Sequence, residues 1–291
     1  MSVIESEARP PVAAGRRRWR GVAGLGWPST VCIWFLAAVV LVALLAPLIA
    51  PQDPNVADLS AARLSPSAAH LLGTDSTGRD ILSRIIYGAR LSLLGPLIVV
   101  VASVTLGTAI ALTSVWVGGR VDAFIARALD VVFAFPSLLL AIMSAALFGA
   151  GLVAPIIALA IGFTPYVVRL TRAPALRLRN APFIAACEVQ GLPVRTIWLR
   201  HLLRNLAPMT ASIATILFGQ AMIDLSALSY LGLGVQPPTA DWGAMVASGQ
   251  QDILSGYPQE SLSAGLMIVL VIVAVNVLGQ RLGDIGEEEL R

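Results

Sequence analysis

The sequence predicts an all-α membrane protein with six transmembrane helices, and three observations lead there. Of its 291 residues 57% are hydrophobic, with a mean hydropathy of +0.81, a composition of polytopic membrane proteins rather than of soluble domains. Only 13% of residues are charged. The apolar residues also gather into runs of about 20 or more, the length a helix rising ~1.5 Å per residue needs to cross a hydrocarbon core ~30 Å thick.

The runs define the spans in order. Val31 to Ala50 is the first, closed by Pro51 and a polar stretch. Leu91 to Val117 is uncharged and stops at Gly118-Gly119-Arg120, giving the second. Val131 to Val168 is also uncharged, but one straight helix of that length would reach ~57 Å, nearly twice the membrane core, so it must fold back. Gly149-Ala150-Gly151, just before Pro155, is where a turn costs least, which makes this run spans three and four. Pro208 to about Leu233 is the fifth span, holding a single acid, Asp224, and Ser261 to Gln280 is the sixth. The apolar part of the first run is longer than that of a cleaved signal peptide, and Pro51 stands where cleavage would fall.

All twenty basic residues other than histidine are arginine, and the net charge is only +3. So small a surplus gives no reason to invoke nucleic acid, and it reports topology instead. Under six spans Arg9, Arg16, Arg17, Arg18, Arg20, Arg120, Arg127, Arg169, Arg172, Arg177, Arg179, Arg195, Arg200, Arg204, Arg281 and Arg291 share one face, against Arg63, Arg79, Arg84 and Arg90 on the other. The crowded face is expected to be cytoplasmic, with both termini on it. This divides the chain into a basic tail (1–30), the first span (31–50), a periplasmic segment with an amphipathic helix (51–90), a five-helix core (91–284) containing a cytoplasmic loop (169–207), and a short tail (285–291). Cys32 and Cys187 suit neither a disulfide framework nor a metal cluster and read as inert thiols.

The loop 169–207 is not composed as a linker. Asn180-Ala181-Pro182 offers an N-cap with proline in the first turn, a short helix follows to Gln190, Gly191 ends it, and Pro193 can begin another. On that second helix Val194, Ile197, Trp198 and Leu202 form one apolar stripe, with Arg195, Arg200 and Arg204 largely off it. A helix lying among lipid headgroups would need no sharp corner, so a projection that enters a groove on another protein is the better reading. On the opposite face, Gly73 to Arg90 predicts an amphipathic helix capped by Thr74 or Asp75, with Ile81, Leu82, Ile85 and Ile86 as its apolar side. Asp75 and Asp80 are too sparse for a calcium loop.

At this point the residues resemble a family. Ala186, Gly191, Ile197, His201 and Asn205 have the spacing of the loop in permease subunits of bacterial binding-protein-dependent ABC importers. "GTDSTGRDILSRIIYGARLSL" (Gly73 to Leu93) and "LSYLGLGVQPPTADWG" (Leu228 to Gly243) resemble signatures of the second of the two permeases in the dipeptide, oligopeptide and nickel branch. The resemblance covers roughly Val31 to Gln280 and implies the type I ABC importer permease fold. It implies peptide cargo first, with nickel, haem or another small solute behind. Implied partners are a homologous second permease, two ATP-binding subunits and a periplasmic or lipid-anchored substrate-binding protein, with membrane lipid around the bundle.

ATP and its magnesium would sit on the partner ATPases and no cofactor on this chain. It has no phosphate-binding loop, and without lysine could not have one, so it is expected to be a non-catalytic subunit. The coupling residues carried over are Ala185, Ala186, Glu188, Gly191, Leu192, Pro193, Val194, Ile197 and His201. The chain departs from the family pattern at Ala185, where glutamate is usual, at Cys187, and at Arg204, where proline is usual; Glu188, close to one turn further on, is expected to supply the missing charge. Asp224, with Gln220 and Ser226, is the expected substrate pathway; an acid inside a span serves either structural pairing or contact with a cation such as a peptide amine. Val235 to Glu260, with Pro237, Pro238, Trp242 and Tyr257, would meet the partner permease or the binding protein. A secondary transporter should show paired repeats and midplane ion-coupling groups, which the sequence does not display. An intramembrane enzyme would need a base in the bilayer, whereas His70 and His201 both fall in polar segments.

Overall fold

The computed structural model describes residues 27–290, with side chains described as far as 283. The expected basic tail therefore lies outside the described residues except for 27–30, as do Arg291 and the side chains of 285–290. The regular structure is helical throughout the described residues. Five helices are long and apolar enough to cross a membrane, and a sixth span results when one bent pair is counted together. The six-span expectation is met.

The first run forms α1 (Trp27–Leu44) and α2 (Ala46–Ile49). Pro47 cannot donate an amide and crowds the carbonyl four residues back, which separates the two. Arg90 takes up the freed carbonyls, donating from Nε to Ala43 O (2.6 Å) and from Nη2 to Leu44 O (3.0 Å). Next comes α3 (Ile81–Val117), a single helix of 37 residues. The amphipathic helix expected before span two is thus the first part of span two itself. It is not half-wet either, since Ser83 and Arg84 are buried along with Ile81, Ile85 and Ile86. Its cap is Asp80, whose Oδ2 accepts from Ser83 N at 2.8 Å, rather than Thr74 or Asp75; Thr74 instead pairs with Asp80 in an isolated bridge.

Gly118, at φ 64°, turns the chain into α4 (Gly119–Phe133), which meets α5 (Ser137–Phe148) at a 73° bend. The bend was not foreseen, although Pro136 is its cause: proline disfavours helical geometry at the preceding Phe135. α4 has no buried residue and is tied to α6 (Val153–Arg179) by the pairs Arg169–Asp130 (2.6 Å) and Arg172–Asp122. The reversal between α5 and α6 falls at Gly149 (φ 94°) and Gly151 (φ 148°), as expected. α6 runs on to Arg179, so Arg169, Arg172 and Arg177 belong to a helix and the loop 169–207 is shorter than its arginines imply. Asn180 closes α6, and Ala181 is the N-cap of α7 (Pro182–Val189), a correction to the expected Asn180 cap.

α8 (Val194–Thr196), a π-helical turn (Ile197–Leu202) and α9 (Leu203–Tyr230) follow without interruption. The second helix of the loop is therefore the base of span five. The chain finishes with α10 (Trp242–Ser248), α11 (Gln250–Leu254) and α12 (Gln259–Leu290). Three apolar clusters hold the bundle. The central one joins α3, α5, α6 and α9 through Val99, Leu159, Val167, Leu217 and Leu228. Gly107 allows the α3–α6 approach: a Cβ there would stand 2.6 Å from the Cβ of Val167. A second cluster gathers α1, α3, α9, α10 and α12 around Trp242, and a third seats α7 and the base of α9.

Candidate functional site

The corner between α7 and α8 is an exposed tip on a buried seat. Ile184, Ile197 and Leu202 are almost fully enclosed and pack with Leu112, Ala175 and Leu206. Beyond them Ala185, Ala186, Glu188, Gly191, Pro193 and Val194 are exposed, and Val189 is 89% exposed. Gly191 holds φ +72° with open space around it, so its role is to supply a left-handed corner rather than a close approach. Of the expected coupling residues, Ile197 belongs to the seat and Leu192 and His201 are half-buried. His201 lies against the Phe183 ring and has its Nε2 4.0 Å from Cys187 Sγ. The exposed part of the corner is thus mostly apolar, with Glu188, Gln190 and Arg195 as its exposed polar side chains.

Reasoning from sequence missed what anchors the corner to the spans. Arg179, the last residue of α6, is ion-paired with Glu188, its Nη2 2.9 Å from Oε1, and lies 4.2 Å from the centre of the Trp116 ring near the end of α3. Trp116 in turn meets Trp198, in the π-helical turn, edge-on at 6.2 Å. α3, α6 and α7 thus meet at one guanidinium, and the π-helical turn at the base of α9 joins them through Trp116. Glu188, expected to take over the role of the absent glutamate at Ala185, is already paired inside the chain. The signal was the cluster of two tryptophans and an arginine near the ends of predicted helices, which spacing alone does not bring together.

Asp224 is 3% exposed. Its Oδ1 accepts from Gln220 Nε2 at 2.9 Å and its Oδ2 from Ser137 Oγ at 3.1 Å, across to the first residue of α5. Gln220 is exposed. Ser226 is not part of this group: it lies on another side of α9, beneath Gly243, whose added Cβ would fall 2.5 Å from Ser226 O.

The opposite end of the bundle carries a cap built by 51–80 and 231–258. Buried Arg84 reaches Pro54 O (3.1 Å) and Pro238 O (3.3 Å) and lies 3.7 Å from Asp75 and 3.8 Å from Glu260. Arg63 pairs with Asp252 and His70 with Asp80. Burial works to raise the Asp75 carboxyl, but hydrogen bonds from Arg79 N and from Thr77, with the Arg79 guanidinium, outweigh it and hold the group below its ordinary range. Trp242, expected to meet a partner, is fully buried and donates to Ile85 O at 2.9 Å; Tyr257 remains partly exposed. Among the described residues no group of histidine, cysteine, aspartate or glutamate could hold a metal ion.

A bundle of five or six helices long and apolar enough to cross a membrane, with an exposed corner at one end and a polar cap at the other, has the architecture of a multi-pass membrane protein. Residues 103–291 match the family described as "Binding-protein-dependent transport system inner membrane component", and residues 29–66 match the "N-terminal TM domain of oligopeptide transport permease C". The chain belongs to the family of binding-protein-dependent inner-membrane transport components. It is 40% identical over 264 residues to a di/tripeptide transport system permease protein of Pseudomonas aeruginosa, covering 88% of this chain and 86% of the relative. It is 38% identical to a dipeptide transport system permease protein of Alkalihalophilus pseudofirmus (90% and 86% covered). A glutathione transport system permease protein of Escherichia coli is 37% identical (88% and 85% covered).

Proposed function

We propose that this chain is one of two permeases of an ATP-driven importer that moves di- and oligopeptides across the bacterial inner membrane. Peptide cargo is supported by relatives whose names refer to di/tripeptide, dipeptide and glutathione transport and which match most of their length. The second permease is a homologue, two ATPases sit on the cytoplasmic side and bind ATP and magnesium, and a periplasmic or lipid-anchored protein delivers cargo. This chain catalyses no reaction. The corner at Gly191 faces the cytoplasm, as do both termini, in keeping with the arginine-rich side.

The observation that carries this reading is the exposed apolar tip Ala185, Ala186, Val189 on the enclosed seat of Ile184, Ile197 and Leu202. Ala185 leaves the tip without the family's carboxylate, so its contact with an ATPase rests on apolar burial, with Glu188 setting the angle of α7 through Arg179. ATP drives transport by binding one arrangement of the assembly more tightly than the other. The test places a cysteine at Val189 in the assembled importer, probes its side with a membrane-impermeant thiol reagent, and cross-links it to the ATPases. Labelling from the cytoplasm and an ATPase cross-link are expected; labelling from the periplasm, or no ATPase adduct, refutes the reading. Glu188→Arg should lower cargo moved per ATP hydrolysed, and unchanged coupling would remove Glu188 from the mechanism.

A further inference from the structure

Asp224 is a carboxylate inside a span without a cation. Among the described residues no ion pair reaches it, since those resolved join Arg63, His70, Arg79, Arg84, Arg169, Arg172 and Arg179 to other acids. Its two contacts, Gln220 Nε2 and Ser137 Oγ, are neutral donors, one per oxygen. An ionised carboxylate offers about four acceptor directions, so two are left, and a buried charge without a counter-ion is costly.

The surroundings show where the counter-ion would come from. Asp224 lies six residues before Tyr230, about 9 Å along α9 from its cap end. Ile216, Gln220, Ile223 and Tyr230 form one exposed stripe on α9. Gln220 is the polar member of that stripe, and a primary amide on a span surface belongs against protein or a wet passage rather than lipid. Its amide is also the exposed group bonded to the buried Asp224 carboxylate. On the other wall, Ser137 begins α5 at the 73° break, so the carboxylate sits on the seam between a broken helix and a continuous one.

We propose that Asp224 is the subsite for a primary ammonium group of the cargo, and that Gln220 is the side chain that yields the carboxylate to it. The inference rests on the reading of this chain as a peptide permease. A free peptide carries at one end a compact cation with three donors, which matches a carboxylate that has spare acceptor directions and a displaceable neutral donor. The apolar neighbours Ile216 and Ile223 ask nothing specific of the side chains that follow, as a carrier of many peptides requires.

The test uses the complete importer with its binding protein in proteoliposomes, with L-alanyl-L-alanine as cargo. Wild type, Asp224→Asn, Asp224→Glu and Gln220→Ala are compared for uptake, for ATP hydrolysis stimulated by the loaded binding protein, and for recovery of the second permease on purification. Losing a charge-assisted contact should cut Asp224→Asn uptake about 10- to 100-fold, with stimulated hydrolysis and recovery unchanged. Asp224→Glu should restore most of the uptake, and Gln220→Ala, which removes the donor that the cargo must displace, should alter it; uptake unchanged in Gln220→Ala overturns the part given to Gln220. Wild-type uptake by Asp224→Asn overturns the proposal while leaving peptide import intact. Loss of the second permease from Asp224→Asn overturns it in favour of a cation on that partner. Failure of the wild type to move this or any other dipeptide overturns the peptide reading and this proposal together.

Discussion

Arg179→Leu removes the α6 side chain that is ion-paired with the exposed α7 and stacked on a ring near the end of α3. The contact with Trp116, at 4.2 Å from the ring centre, has a worth of about 0.5–2 kcal/mol depending on how dry the site is. The Glu188 pair is 2.9 Å long but 27% and 39% exposed on its two sides, which limits it to about 0.2–1 kcal/mol. Only the ion pair reaches α7, so its loss changes the population of the docked arrangement by a factor of up to about 5, while loss of the ring contact loosens the end of α6 from α3. The bundle should assemble normally, because the seat of Ile184, Ile197 and Leu202 is untouched. In reconstituted importer the measured quantity is cargo moved per ATP hydrolysed, expected to fall several-fold while basal hydrolysis persists. Arg179→Lys, which keeps the charge without the flat stacking surface, should lie between. If Arg179→Leu keeps the wild-type ratio, or Arg179→Leu and Glu188→Gln act additively in a double-mutant cycle, this node does not transmit motion.

Gly191→Val forces a β-branched residue to φ +72°, at about 1–2 kcal/mol; ATPase binding to the assembled permease should weaken, whereas Gly191→Asn should stay close to wild type. Gly107→Ala puts a methyl 2.6 Å from the Cβ of Val167, and overpacking should cost about 1–3 kcal/mol, read as a lower thermal midpoint in detergent. Asp75 is held below its ordinary value of 3.8, so its ionised form adds stability at pH above that value, and the addition is lost as the pH falls through the lowered one. Wild type should therefore outlast Asp75→Asn near neutrality, and the gap should close under acid; a gap independent of pH would show that the charge is not what stabilises the cap.

The spans were legible because length and hydropathy are enforced by the membrane itself. The reversal at Gly149 and Gly151 could be placed because no helix of that length fits a bilayer. What was lost lay where helices continue past the membrane boundary. Arginines at 169, 172, 177 and 179 read as loop, yet the backbone stays helical through them because a helix satisfies its own hydrogen bonds in water or lipid alike. The same confusion separated Ile81–Arg90 from the helix it begins, and its wet face was misjudged because Arg84 is buried by the distant Pro54, Pro238 and Glu260. The expected coupling corner was readable from Gly191 and Pro193. Its anchor was not, since Trp116, Arg179 and Trp198 meet only in three dimensions.

The corner and Asp224 are the two ends of one rod. From Ile197, in the seat of the corner, the chain is helical without a break to Tyr230, which places Asp224 about 40 Å along the axis. The π-helical turn Ile197–Leu202 sits at the base of that rod, and such a turn is where a helix can shift register without unwinding. α5 is different: it is cut from α4 at Pro136 and touches the rod through Ser137. A displacement of the corner that tilts α9 must therefore either drag the short α5 with it or part the 3.1 Å contact between Ser137 and Asp224. In the second case the carboxylate would lose one of its two donors, and under the proposal above its demand for a cation would change with that motion. On the proposed reading, binding at the seam and movement at the corner would depend on the same helix, α9 with its π-helical base.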